Sequence, residues 1–257
     1  MSITIKTKEE IETLREGGKI LAQILSELKE EVIPGNSSEK LEESARKKIL
    51  ESGATPAFLN YRPKGARRDF PAALCLSVNE VVVHGIPNES PKIFKEGDIV
   101  TIDTGICYKN FFTDSAITVP CGKVDAQAKQ LIKATREALD AAIKVAVPGN
   151  TTGDIGDAIE RVAKKYNFSV ADNLGGHGVG YSQHEDPFIP NFSMPHQGPV
   201  LKEGMVIAIE PIFNEGKTGT KILKDGYTFV TTDGSRSAHF EHTIAIQKGK
   251  PLILTKE

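Results

Sequence analysis

Cysteine is scarce in this sequence: Cys75, Cys107 and Cys121 are the three in 257 residues. An odd count without metal-type spacing argues against a disulfide framework or a cysteine-built zinc site, and fits a reducing, cytoplasmic setting. Long apolar runs are missing as well; no stretch reaches the roughly 18–20 residues that a spanning helix needs, so no membrane partner is expected. The opening MSITIKTKEEIETLREGG carries charge where a secretory signal would carry an apolar core, so no export signal is expected. Nor does one charge sign dominate, with 32 Lys and Arg against 34 Asp and Glu and a net charge of -2. Without a basic excess to neutralise phosphates, a protein devoted to gripping nucleic acid is disfavoured. No stretch has the composition of a flexible linker, which leaves one compact α+β unit over 1–257 as the expectation.

What is present is strongly patterned. Ile11, Leu14, Gly18, Leu21, Leu25, Leu28 and Val32 recur at steps of three and four, the stripe of an amphipathic helix, with Thr7 and Glu10 as a capping box and Pro34-Gly35 as its end. Further helices are predicted over about Ser38–Ser52, Asp125–Val145 and Thr152–Tyr166. Runs rich in Val, Ile, Thr and Phe predict strands at Leu74–His84, Asp98–Cys107 and Phe112–Val119, and strands with turns from Ser169 to Gln247. The basic stretch Asn60–Phe70 reads as a solvated loop.

The chain repeats itself faintly. Pro34-Gly35-Asn36-Ser37-Ser38 and Pro148-Gly149-Asn150-Thr151-Thr152 each precede a helix. Lys95-Glu96-Gly97-Asp98 to Asp103 matches Lys202-Glu203-Gly204-Met205 to Glu210, and Val83-His84-Gly85-Ile86 matches Gly176-His177-Gly178-Val179, in the same order. Two similar halves, approximately 1–122 and 123–257, would pack about a pseudo-twofold axis with a shared site on it.

Chemistry concentrates where these repeats end. Asp103 closes the apolar run Ile99-Val100-Thr101-Ile102, and a lone buried carboxylate there is costly unless paired, protonated or bound to a cation. Asp114 follows after a turn and can face the same side of an antiparallel pair. Glu210 occupies the position equivalent to Asp103, and Glu241 opens another apolar strand as the second carboxylate of its half. His177 is flanked by glycines that allow close approach. The same glycines do not make a phosphate cradle, because the G-x-G-x-x-G spacing and the following helix are missing. Four carboxylates and an imidazole suit two divalent first-row ions such as Mn, Fe, Co or Zn, which could share a bridging water of lowered pKa.

In this order, Asp103, Asp114, His177, Glu210 and Glu241 resemble the five-ligand set of the pita-bread metallopeptidases. Val82-Val83-His84-Gly85-Ile86-Pro87 and Gly176-His177-Gly178-Val179-Gly180, with His184 beyond, are similar to type I methionine aminopeptidases over nearly the whole chain. The resemblance implies an α+β pita-bread fold, with duplicated helices around a central curved antiparallel sheet. It implies removal of the initiator methionine from nascent proteins whose second residue is small, by attack of a metal-bridging water on the first peptide bond. Asp103 would bind one metal, Asp114 and Glu241 would bridge, and His177 and Glu210 would complete the other ion. His84 would contact the substrate near the scissile nitrogen and His184 its carbonyl oxygen, while Glu210 would shuttle a proton; these three are the implied catalytic residues. Phe70, Cys75 and Tyr227 would join His84 and His184 as substrate-binding residues, at the side-chain pocket. Asn79, Val81 and Ser237 would hold a monovalent cation. A monomer in transient contact with the ribosome is implied, and Met1-Ser2 suits self-trimming.

Departures from the resemblance fall around the side-chain pocket. Gln183 stands where a phenylalanine is common, Leu174 where an aromatic or methionine is usual, and Tyr227 where some relatives have tryptophan. Two rival readings are an Xaa-Pro peptidase of the same fold and a non-catalytic protein-binding module. The short His184–Glu210 interval leaves no room for the insert of type II enzymes, and no zinc-finger extension is expected. The rivals are disfavoured because no additional N-terminal domain is expected and because all five ligand positions are filled.

Overall fold

The computed structural model describes residues 3–171 and 173–256. Met1 and Ser2, on which self-trimming rests, lie outside them. The first helix, α1 (Lys8–Glu30), begins with the expected box: Thr7 Oγ1 accepts from Glu10 N–H and the Glu10 carboxylate accepts from Thr7 N–H. Its buried stripe includes Ile11, Leu14, Leu21, Leu25 and Leu28, as the spacing requires. Then follow α2 (Ser38–Glu51), α3 (Ala126–Val145) and α4 (Thr152–Tyr166), capped by Ser37, Asp125 and Thr151.

Among the described residues nine strands form one antiparallel sheet. Its central order is Ile99–Tyr108, Phe111–Pro120, Glu241–Ala245, Val206–Ile209 and Gly175–Gly178. Alternation along these strands divides their side chains between two environments. On Ile99–Tyr108, Val100, Ile102 and Ile106 pack with α1 and α2 residues such as Leu21, Leu25, Leu41 and Ile49. On Val206–Ile209, Ile207 and Ile209 pack with Leu131, Ala138, Ile155 and Ile159 of α3 and α4. The intervening Thr101, Asp103 and Gly105 are thereby left for the opposite face.

The two Pro-Gly-Asn segments make matched hydrogen bonds. Gly35 N donates to Phe94 O (2.9 Å) and Gly149 N to Leu201 O (3.0 Å). Phe94 N returns to Asn36 O (2.8 Å), as Leu201 N does to Asn150 O (2.7 Å). The side-chain amide of Asn36 donates to Glu31 O (2.8 Å), and that of Asn150 to Val145 O (2.7 Å).

One predicted strand is broken. Leu74–His84 divides into Cys75–Val78, paired with Ile99–Tyr108, and Val81–Val83, paired in a separate three-stranded sheet with Phe229–Thr231. Asn79 makes the break at φ 53°, a region that Asn tolerates better than most residues. Its side chain pins the turn, donating to Asp98 Oδ1 (2.8 Å) and accepting from Ile99 N–H (3.0 Å).

Candidate metal centre

The sheet register assembles the carboxylates. Asp103 lies opposite Ala116, and Ala116 lies opposite Glu241, so two acids flank an alanine in one row across three strands. Asp114 is two residues from Ala116 on the middle strand and therefore on the same face. It lies opposite Gly105, where an added Cβ would come within 2.9–3.0 Å of the Gln183 amide. That missing side chain admits Gln183, whose Nε2 donates to Asp114 Oδ2. Thr243 Oγ1 accepts from Asp114 N–H (2.9 Å) and donates to Asp114 O (2.7 Å), fixing the backbone beneath the acid.

His177 enters from Gly175–Gly178, opposite Ala208. An added Cβ at Gly176 would stand 2.2 Å from Ala208 O, so the expected close approach is real and only glycine permits it. Its Nδ1 faces Gly178 O at 2.9 Å, leaving Nε2 3.9 Å from Asp114 Oδ2 and 3.8 Å from Glu210 Oε1. His84 is half-buried at φ 57°, a strained setting for a non-glycine residue, and its ring packs edge-on to Phe229 at 5.7 Å. His184 is exposed at the rim, with Nδ1 2.9 Å from Tyr61 Oη and its ring 4.4 Å from that of His177.

A cavity of about 400 Å³ collects these residues: Asp103, Asp114, His177, Glu210, Glu241, His84 and His184 all line it. Burial, followed by mutual repulsion, holds the carboxyls of Asp103, Glu210 and Glu241 well above the usual carboxylate range. Burial raises Asp114 to about 7, against hydrogen bonds from Ser115 and Gln183 that favour its ionised form. Burial also lowers His177 to about 4, so its imidazole is neutral and free to ligate. Asp103 Oδ1, Asp114 Oδ1, Glu241 Oε1 and both ring nitrogens of His239 are buried without a hydrogen-bond partner. Buried polar atoms are almost always paired, and a cluster of unpaired acceptors is what a cation would satisfy. Asp114, His177 and Glu241 each offer a ligand atom within 4.8 Å of the others.

The description of metallopeptidase family M24 matches residues 12–248. A methionine aminopeptidase of Aquifex aeolicus is 47% identical over 100% of both chains, and methionine aminopeptidase 1 of Bacillus subtilis is 42% identical over 99% of each. The solved methionine aminopeptidase of Thermotoga maritima covers 100% of both chains at 42% identity, with a TM-score of 0.94. The chain belongs to metallopeptidase family M24. The prolidase of Pyrococcus furiosus, at 24% identity and a TM-score of 0.76, covers 98% of this chain and 65% of its own; that likeness shows the shared pita-bread fold alone. M24 membership together with this acid and imidazole cluster makes divalent metal ions the cofactor.

Beside the M24 acid cluster the cavity turns apolar. Phe58, Phe70, Cys75 and Tyr227 are buried together, with Phe70 edge-on to Tyr227 at 5.2 Å and to Phe58 at 6.5 Å. The Asn60–Phe70 stretch is a loop with most of its charged residues exposed, as expected, but parts of it turn inward. Phe70 is 4% exposed, and Tyr61, Pro63 and Lys64 line the cavity. The loop is folded over by Asn60 N to Phe70 O and Phe70 N to Tyr61 O, both 2.9 Å, and by the Arg62–Asp69 ion pair (2.6 Å). Leu174 packs partly buried beside Ile212 and Val83, outside the cavity lining. Tyr227 Oη donates to Arg68 O, a bond that ties the pocket to this loop.

Sequence reasoning missed Phe58, Tyr61 and His239 in this M24 site. His239 had a signal: it stands two residues before Glu241 in an extended run, so both can face one side. Tyr61 had none, because its role depends on where the loop folds. The residues named for a monovalent cation are brought together, with Ser237 N donating to Asn79 O (2.8 Å) and Val81 two residues beyond Asn79. The Ser237 hydroxyl and the Asn79 amide are already engaged, with Phe213 O and with Asp98 and Ile99 respectively.

Proposed function

We propose that this chain is a methionine aminopeptidase, a metallo-exopeptidase that removes the initiator methionine from nascent proteins whose second residue is small. One observation carries the reading: the acid and imidazole cluster and the Phe58–Phe70–Tyr227 cluster line one cavity. A single residue at a peptide N-terminus fits that arrangement. Its side chain enters the apolar end, where a thioether finds aromatic rings and the buried Cys75 thiol. Its α-amine stays at the acidic end, which limits cleavage to the first peptide bond.

Asp103, Asp114, His177, Glu210 and Glu241 would hold two divalent ions. When bound, the ions supply Lewis acidity and lower the pKa of a coordinated water. His84, aimed inward by its positive φ, contacts the substrate near the scissile nitrogen. His184, oriented by Tyr61, donates to the carbonyl oxygen as negative charge develops there. Glu210 takes a proton from the nucleophile and returns it to the leaving amine. The enzyme works as a monomeric cytoplasmic catalytic unit of two halves, near 1–122 and 123–257, visiting the ribosome transiently. Asn79, Val81 and Ser237 would hold a monovalent cation.

The test is hydrolysis of Met-Ala-Ser against Ala-Pro peptides, after chelation and stepwise return of Mn, Fe, Co and Zn. Metal-restored release of methionine alone is expected. Preferential cleavage before proline, or activity unaffected by chelation, overturns the reading.

A further inference from the structure

His239 is the one imidazole beside the acid cluster to which the foregoing mechanism gives no task. It is 2% exposed and lines the cavity, and neither ring nitrogen has a hydrogen-bond partner. A buried imidazole without partners loses its hydration for nothing in return unless a ligand completes it. Its place is not loose. The Thr118 hydroxyl accepts from His239 N–H (2.9 Å) and donates to His239 O (2.7 Å), and His239 pairs with Ile212 in a short antiparallel ladder.

The distances around the ring repeat those of His177. His239 Nε2 lies 3.7 Å from Glu210 Oε2 and 3.9 Å from Glu241 Oε2. His177 Nε2 lies 3.8 Å from Glu210 Oε1 and 3.9 Å from Asp114 Oδ2. Glu210 therefore stands between two imidazoles, one facing each of its oxygens. Both sets are too long for hydrogen bonds. Pair by pair they match donors to an ion, since ligands at about 2.0–2.2 Å from a metal stand roughly 3–4 Å apart, while the triad whose ligand atoms all lie within 4.8 Å of one another is Asp114, His177 and Glu241.

We propose that His239 is a further metal-binding side chain of this centre, presenting Nε2 to a cation it shares with Glu210 and Glu241. The inference rests on the metallo-aminopeptidase reading and adds a second imidazole to its donor set. Imidazole favours Fe, Co and Zn over ions that prefer all-oxygen shells, so His239 also tilts the choice of metal.

The experiment loads the metal-free full-length chain with cobalt(II) and reads two signals besides activity. Proton NMR of the cobalt protein shows a strongly shifted, solvent-exchangeable N–H resonance for each coordinated imidazole, and calorimetry gives affinity and stoichiometry. Two such resonances are expected in the wild type and one in His239→Gln, together with at least tenfold weaker binding of one cobalt equivalent. Should His239→Gln not fold, the wild-type resonance count decides alone. A wild type that binds cobalt with a single imidazole resonance, or a His239→Gln variant that keeps the wild-type spectrum and affinities, overturns the role of His239 and leaves the peptidase reading standing. A wild type that takes up no cobalt overturns both.

Discussion

Two groups of buried carboxylates occupy this chain, and their surroundings are opposite. Glu42, 4% exposed, accepts from Ala73 N–H (2.7 Å) and Leu74 N–H (2.9 Å). Glu185, 8% exposed, accepts from Ser182 N–H (3.0 Å), Tyr181 N–H, Thr4 Oγ1 (2.6 Å) and Lys6 Nζ (2.7 Å). Asp103, Asp114 and Glu241 are as deeply buried, yet each keeps an oxygen without a partner. Burial by itself thus does not mark a functional acid. The protein surrounds the first group with donors, whereas in the second one oxygen of each acid is left without one even where Gln183 reaches Asp114 Oδ2, and a cation would satisfy what remains. Glu42 and Glu185 act as braces: the former ties α2 to the segment before Cys75, and the latter ties residues 4–6 to the loop that carries Gln183 and His184.

The sharpest way to break this contrast is Asp114→Asn. It should abolish cobalt binding at one position or both and lower kcat/KM on Met-Ala-Ser at least a thousandfold, about 4 kcal/mol. The melting temperature of the metal-free protein should hold or rise, because an uncompensated acid is removed; a large fall would place Asp114 with the braces. Lys6→Ala removes the cation from a buried pair and should cost about 3 kcal/mol in denaturant unfolding. The folded fraction should still bind cobalt, and unchanged stability would show the pair to be ornamental. Glu42→Gln leaves one of two backbone N–H groups without an acceptor and should cost about 1–3 kcal/mol, with metal stoichiometry unaltered by calorimetry.

The smallest effect is on pH dependence. A carboxyl whose pKa is raised on folding contributes stability below its unfolded value and loses it as the pH climbs through the folded one. For Asp114 that window runs from 3.8 to about 7. Its stabilisation of the metal-free protein is therefore lost across that range, and below its upper end a cation must displace bound protons. The rise in melting temperature caused by cobalt should be larger at pH 8 than at pH 5.5. A rise independent of pH would mean that these acids do not ligate.

Much of the frame was legible from local pattern. The Thr7–Glu10 cap, the apolar stripe of α1 and the alternation around Asp103 and Asp114 involve residues a few positions apart, whose interactions depend on helix or strand geometry alone. The break at Asn79 was missed because a run of strand-forming residues conceals a single left-handed turn. The exposed loop at Asn60–Phe70 was legible from its charges, but not that Tyr61 and Phe70 turn inward to the cavity.

By itself, then, the sequence determined which segments become helix and strand, and which side chains carry ligand chemistry. Tertiary structure alone decided which acids are left unpaired, which loop closes the cavity, that Lys6 meets Glu185, and that His239 faces Glu210. The reason is physical: local structure follows from the period of the backbone, whereas desolvation and pairing depend on groups distant in the chain, 179 residues for Lys6 and Glu185, which meet only when the chain folds.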